Sequence, residues 1–220
     1  MSTPPTSATA DRVLRADARR NQEQVLQAAR DLFVERGLGC PLEDVARRAG
    51  VGIGTLYRRF GDRDGLVKAV LLDALELSRA SAERALEAEQ DEQVDGLDAL
   101  AGYLRDMLDV RVSAVIPLAL DRLDDADLHV AREASAGAVQ RLVDAAHDDG
   151  SLPAEVSFGD LGTLLVRLSR PLPGLGPEAD NQLTHRHLDL VLAGLRNPGV
   201  LEAPGPSRAD LHGLGNRPST

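Results

Sequence analysis

The stretch Leu42 to Phe60, LEDVARRAGVGIGTLYRRF, holds two short helical runs parted by glycines. Leu42, Val45, Ala46 and Ala49 recur at helical spacing and make an inner face. Pro41 suits a first helical turn, and the acids Glu43 and Asp44 suit the positive end of a helix. Gly50-Val51-Gly52 then interrupts the pattern, and Ile53 to Phe60 resumes it through Leu56, Tyr57 and Phe60. Two short helices joined by a turn of about three to four residues containing Gly form a helix-turn-helix.

The second helix of such a motif has to offer small or polar residues outward, so that its backbone can enter a major groove about 12 Å wide. Gly52, Gly54, Thr55, Arg58 and Arg59 supply that face. Leu56 and Phe60, four apart, supply the buried one and are expected to pack against Val45 and Leu32 or Phe33. Thr55 suits a thymine methyl or a phosphate. Taken singly, Arg47 and Arg48 read as solvated surface and Tyr57 as a half-buried packing residue; the motif supplies their second reading. Gly50, Gly52 and Gly54 do not make a dinucleotide loop, because position 55 is Thr and no strand precedes them.

Outward from the motif the spacing stays helical, with no run of β-branched alternation, so the expected fold is all-α. Val25, Ala29, Leu32 and Phe33 mark a first helix that stops at Gly37. After Gly61-Asp62 a long fourth helix carries Leu66, Val70, Ala74 and Leu77 and runs to about Glu89. Further periodic segments cover 93–113, 117–123, 126–147, 160–170 and 180–196. The ends, rich in Ser, Thr, Pro, Gly and Asn, read as tails.

The chain has 220 residues, 43% hydrophobic and 27% charged, with 2% aromatic. That composition excludes collagen, a wholly disordered chain and a membrane bundle. One cysteine, Cys40, excludes an internal disulfide and a cysteine-rich metal site, and fits a reducing cytoplasm. No apolar run reaches the ~18 residues of a membrane span, and no signal-peptide pattern opens the chain. The net charge of -10 hides an asymmetry: residues 1–70 carry 12 basic and 9 acidic side chains, whereas the rest carry 13 and 26. A basic head on an acidic body suits a chain that meets phosphate at one end.

The quoted stretch resembles the TetR family of transcriptional regulators. The likeness begins at Arg19-Arg20 and continues through Ala29-Arg30-Asp31-Leu32-Phe33 and Gly37. It is densest at Val45-Ala46-Arg47-Arg48-Ala49-Gly50-Val51 and Gly54-Thr55-Leu56-Tyr57, and ends near Leu66. Two positions depart from the common family pattern. Gly52 stands where many members have Ser, losing a hydroxyl for phosphate, and Arg59 stands where many have His, adding a permanent charge. Both preclude copying an operator sequence from relatives.

The resemblance implies a homodimer that binds a pseudo-palindromic operator in double-stranded DNA and is released by a small-molecule effector, with repression as the default. In the family a tyrosine at the position of Tyr57 usually contacts phosphate. Arg47 and Arg48, with Arg19, Arg20 and Lys68, are placed to touch the flanking DNA backbone. The implied organisation is a tail over 1–16, a DNA-binding domain over 17–62, a helical regulatory and dimerisation domain over 63–197 and a second tail over 198–220. The strut helix from Arg63 would transmit the effector's influence.

A pocket in that body would be lined by Leu104, Met107, Leu108, Arg111, Leu118, Leu123, His147 and Phe158, whose other role is plain core. In the family the last two helices pair with their symmetry mates. Here they carry Leu161, Leu164, Leu165 and Leu168 on one and Leu188, Val191, Leu192 and Leu195 on the other, with burial inside the monomer as the alternative. No catalytic motif, cofactor or metal site is expected, and His185 and His187, two apart on a helix, point in different directions. The rival readings are a helical ligand- or protein-binding module that no longer binds DNA and a small helical enzyme.

Overall fold

The computed structural model describes residues 7–89, 93–111, 115, 125–197 and 205, with side chains from residue 20 onward. The expected segment 117–123 lies outside them, with Leu118 and Leu123. Among the described residues every regular element is a helix. They divide into two compact units that part between Val70 and Leu71.

The first unit holds α1 (Ser7–Arg36), α2 (Leu42–Arg48), α3 (Ile53–Phe60) and the opening turns of α4 (Arg63–Glu89). Its core is Val25, Ala29, Leu32 and Phe33 from α1, Val45 and Ala46 from α2, Leu56 from α3, and Leu66, Val67 and Val70 from α4. α1 begins at Ser7, inside the stretch expected to be a tail. Ala8, Ala10, Leu14, Ala16 and Ala18 are strong helix formers, and extending a helix already formed costs little compared with starting one.

The second unit holds the rest of α4, α5 (Gly96–Asp109), α6 (Ala126–Asp148), α7 (Phe158–Leu168) and α8 (Pro177–Arg196). One core runs through it, including Ala74 and Ala82 of α4, Leu97, Leu100, Leu104, Met107 and Leu108 of α5, Ala138, Leu142 and Ala146 of α6, Leu161 and Leu165 of α7, and Leu188 and Leu192 of α8. With few aromatics available, close backbone approach replaces bulk. A Cβ on Gly96 would stand 2.7 Å from the backbone nitrogen of Ala146, so glycine is required where α5 meets α6.

The α5 N-terminus is satisfied by the end of α6. The Gly96 amide donates to Asp149 Oδ2 at 2.6 Å and the Leu97 amide to Ser151 Oγ at 2.9 Å. Burial alone would raise the Asp149 carboxyl, but the hydrogen bonds from Ser151 and from the Gly96 and Ser151 amides hold it below the usual aspartate range. α5 and α8 lie antiparallel, as their polar contacts show: Arg105 meets Asp189 at 3.0 Å, Asp109 meets His185 at 2.8 Å, Arg111 meets Asp180 at 3.1 Å, and Arg196 reaches back to Asp95 and Asp98. A buried hydroxyl chain ties three helices, with Ser135 donating to Ser78 Oγ and Ser78 bonded to Tyr103 Oη, each at 3.0 Å. Burial pushes the Tyr103 phenol up to about 12.

Candidate nucleic-acid interface

α2 starts after Pro41, with Glu43 and Asp44 in its first turn and no side-chain cap. It ends in a Schellman arrangement: the Gly50 amide donates to Arg47 O at 3.2 Å and the Val51 amide to Ala46 O at 3.0 Å, with Gly50 at φ 68. That left-handed residue is what glycine permits at low cost. The chain then turns into α3 at Gly52, whose carbonyl accepts the Thr55 amide at 2.9 Å. α3 closes at Gly61, and Asp62 opens α4 by accepting the Gly65 amide at 2.8 Å. Arg63 donates to the carbonyls of Leu38 and Cys40, at 2.7 and 2.6 Å, fixing the α1–α2 connection. Burial pushes the Cys40 thiol up, against the lowering effect of Arg63, so this cysteine stays protonated and unreactive.

α3 is fixed by one face and free on the other. Leu56 is fully buried and Phe60 half-buried, whereas Gly52, Ile53, Gly54, Tyr57, Arg58 and Arg59 are exposed and Thr55 is partly so. Tyr57 keeps 46% of its surface exposed, with its hydroxyl available to a partner.

The basic residues expected at this surface fall into different states. Arg48 donates two bonds to the Glu35 carboxylate, at 2.8 and 3.0 Å, and this pairing raises its pKa. Arg47 pairs with Asp44 at 2.8 Å yet keeps 76% of its side chain exposed, and Asp44 is shared with Arg36 at 2.9 Å. Arg59 donates to Gln22 Oε1 on α1. Arg20 is exposed and Lys68 partly buried, both with interactions of their own. The Arg19 side chain lies outside the described ones. Among the described residues of this unit, Arg58 is the cationic side chain with no hydrogen bond or ion pair. Glu35 and Gln22, absent from the sequence reading, and Asp44, read there only as an acid at a helix start, hold these arginines.

In the second unit six of the eight expected pocket residues are described, Leu118 and Leu123 lying outside them. Leu104, Met107 and Leu108 are core, Phe158 packs against it, His147 donates through Nε2 to the Val156 carbonyl at 3.0 Å, and Arg111 pairs with Asp180. An open cleft of about 330 Å³ lies between α4 and α6, lined by Glu76, Arg79, Asp127, Val130, Ala131 and Ala134. Of the leucines expected to face a second copy, Leu161, Leu165, Leu188 and Leu192 are buried in the protomer's own core, and Leu164, Leu168, Val191 and Leu195 are half-buried. The exposed apolar residues of α8 are Leu183 and Leu190, seven apart on one face, with Leu172 and Leu175 on the preceding loop.

Residues 25–70 match the family model for bacterial regulatory proteins of the tetR family, and residues 95–197 match that for the C-terminal domain of SbtR-like transcriptional regulators. A TetR transcription regulatory protein from Mycobacterium vanbaalenii is 31% identical over 83% of this chain and 99% of its own, with a TM-score of 0.53. A TetR transcriptional regulator from Streptomyces coelicolor is 29% identical over 79% and 97%, with a TM-score of 0.55. An HTH-type transcriptional repressor of Mycobacterium tuberculosis is 50% identical over 48 residues, 21% of this chain; the match spans about a quarter (26%) of the repressor's length.

Proposed function

From the premise that this chain belongs to the TetR family of bacterial regulatory proteins, we propose that it is a cytoplasmic transcriptional repressor. It binds a pseudo-palindromic operator as a homodimer and is released by a small-molecule effector. The observation that carries this reading is α3: a helix buried through Leu56 that leaves Gly54, Thr55, Tyr57 and Arg58 uncovered on the far side. Such a helix fills a major groove, with Thr55 and Arg58 toward base edges and Tyr57 toward phosphate. Arg47 is available to the flanking backbone because its pair with Asp44 is solvent-exposed and weak. Arg19, Arg20, Arg59 and Lys68 add to the basic charge of the same unit.

A single recognition helix reads only a half-site, so useful affinity needs a second one roughly 34–36 Å away. Exposed Leu183 and Leu190 on α8, bordered by half-buried Val191 and Leu195, supply a face for a second copy. The effector acts by linkage, binding better to the state that cannot hold DNA, and α4, which both units share, carries the change. No helix among the described residues is long and apolar enough to cross a membrane. The family is one of transcriptional regulators and not of enzymes.

The test is capture of genomic fragments by the purified protein at about 0.15 M salt. Enrichment of discrete fragments, bound with a salt slope of several counterions, supports the reading. Indifference to sequence at every concentration would favour the module that has abandoned DNA.

A further inference from the structure

On that reading of α3 as the groove-binding helix, the geometry points to Arg58 as the specificity-determining residue, reading one guanine in each operator half-site. A helix turns by about 100° per residue. Leu56 and Phe60, the anchoring residues, therefore lie about 40° apart, and Arg58 lies opposite the line between them, at the crest of the outward face. Gly54 and Thr55 lie about 40° and 60° from Arg58, while Tyr57 and Arg59 sit about 100° to either side. A residue at the crest reaches the groove floor; residues on the flanks face the two phosphate backbones that form its walls.

Two further observations separate Arg58 from its neighbours. First, a long side chain on a helix leans over the preceding turn, and the preceding turn here presents Gly54, where even a Cβ would meet nothing within 4 Å. Gly54 thus puts no side chain of its own beneath Arg58, and the backbone there can approach the bases. Second, the competing guanidiniums are occupied: Arg48 by Glu35, Arg59 by Gln22 and Arg63 by two carbonyls. Arg58 has no such partner among the described residues, so its planar fork matches the O6 and N7 acceptors of guanine without first breaking a protein contact.

The experiment selects duplexes from a pool with a randomised core, using the wild type, Arg58→Ala, Arg58→Gln and Arg59→Ala, each checked for an unchanged thermal midpoint. The wild type should select a guanine at one position of each half-site. Arg58→Ala should lose about 5- to 150-fold in affinity for that duplex, and change little on a duplex with that guanine replaced. Arg58→Gln should shift the preference toward adenine, and Arg59→Ala should weaken all duplexes alike. An equal loss by Arg58→Ala on both duplexes, or retention of the guanine in its selected sequences, would make Arg58 a phosphate contact and overturn the assignment. A wild type that selects no sequence would overturn the functional reading itself.

Discussion

Arg48 on α2 and Glu35 on α1 form a two-pronged ion pair, 2.8 and 3.0 Å long, at the edge of the proposed DNA surface. It neutralises the charge of an arginine that the sequence places at the DNA backbone. Glu35→Gln should therefore tighten binding to non-specific duplex and steepen its salt dependence by about one counterion, measured by fluorescence anisotropy across a salt series. Both groups are more than a third exposed, so the pair itself contributes at most about 1 kcal/mol to stability. Weaker DNA binding by Glu35→Gln would mean that the pair positions α2 instead of masking it.

Leu56 and Tyr57 are neighbours with opposite duties. Leu56→Ala leaves a cavity beneath α3 and should cost about 2–5 kcal/mol, seen as a lowered thermal midpoint. Tyr57→Phe should leave that midpoint unchanged while weakening operator binding, because the hydroxyl makes no hydrogen bond among the described residues. A Tyr57→Phe variant with full affinity would remove the phosphate contact from the account.

Gly96→Ala should destabilise the second unit by about 1–3 kcal/mol, since a methyl cannot fit against the Ala146 backbone without moving α5 or α6. Calorimetry is the direct check. A variant as stable as the wild type would show that the two helices separate freely.

The α5 N-terminus also has a pH signature. The carboxyl of Asp149 is held below its usual range in the folded chain. Its contribution is therefore complete above the unfolded pKa of about 3.9 and is lost as pH falls through the lower folded value. The difference in thermal midpoint between wild type and Asp149→Asn should be steady from about pH 7 to 5 and shrink below about pH 4. A difference that grows on acidification would contradict the hydrogen-bonding scheme.

Leu190 is 54% exposed on α8. Leu190→Glu should convert the proposed dimer to a monomer in analytical ultracentrifugation and weaken operator binding in parallel, because two half-sites must be read together. An unaltered dimer would place the interface on another face.

The helix-turn-helix was legible because it is local. Leu42, Val45, Ala46 and Leu56 repeat at helical spacing, Gly50 marks the left-handed turn, and the structure places all of them accordingly. The restraint on Arg48 and Arg59 was not legible, because Glu35 and Gln22 stand 13 and 37 residues away in sequence. Periodicity likewise marked the leucines of α7 and α8 without telling which face points inward. Leu188 and Leu192 went to the protomer core, and Leu183 and Leu190, absent from the sequence reading, are the exposed ones. The start of α1 at Ser7 escaped because composition alone reads a Ser-, Thr- and Ala-rich end as a tail.

Methylation protection of a captured operator would show whether α3 occupies the major groove of duplex DNA. Guanine N7 lies in the major groove. With α3 in the groove, protection should fall in two clusters on one face of the duplex, about one helical turn or a multiple of it apart, lost together in Arg58→Ala. Unprotected guanines beneath a footprinted protein, or a single protected cluster, would contradict it.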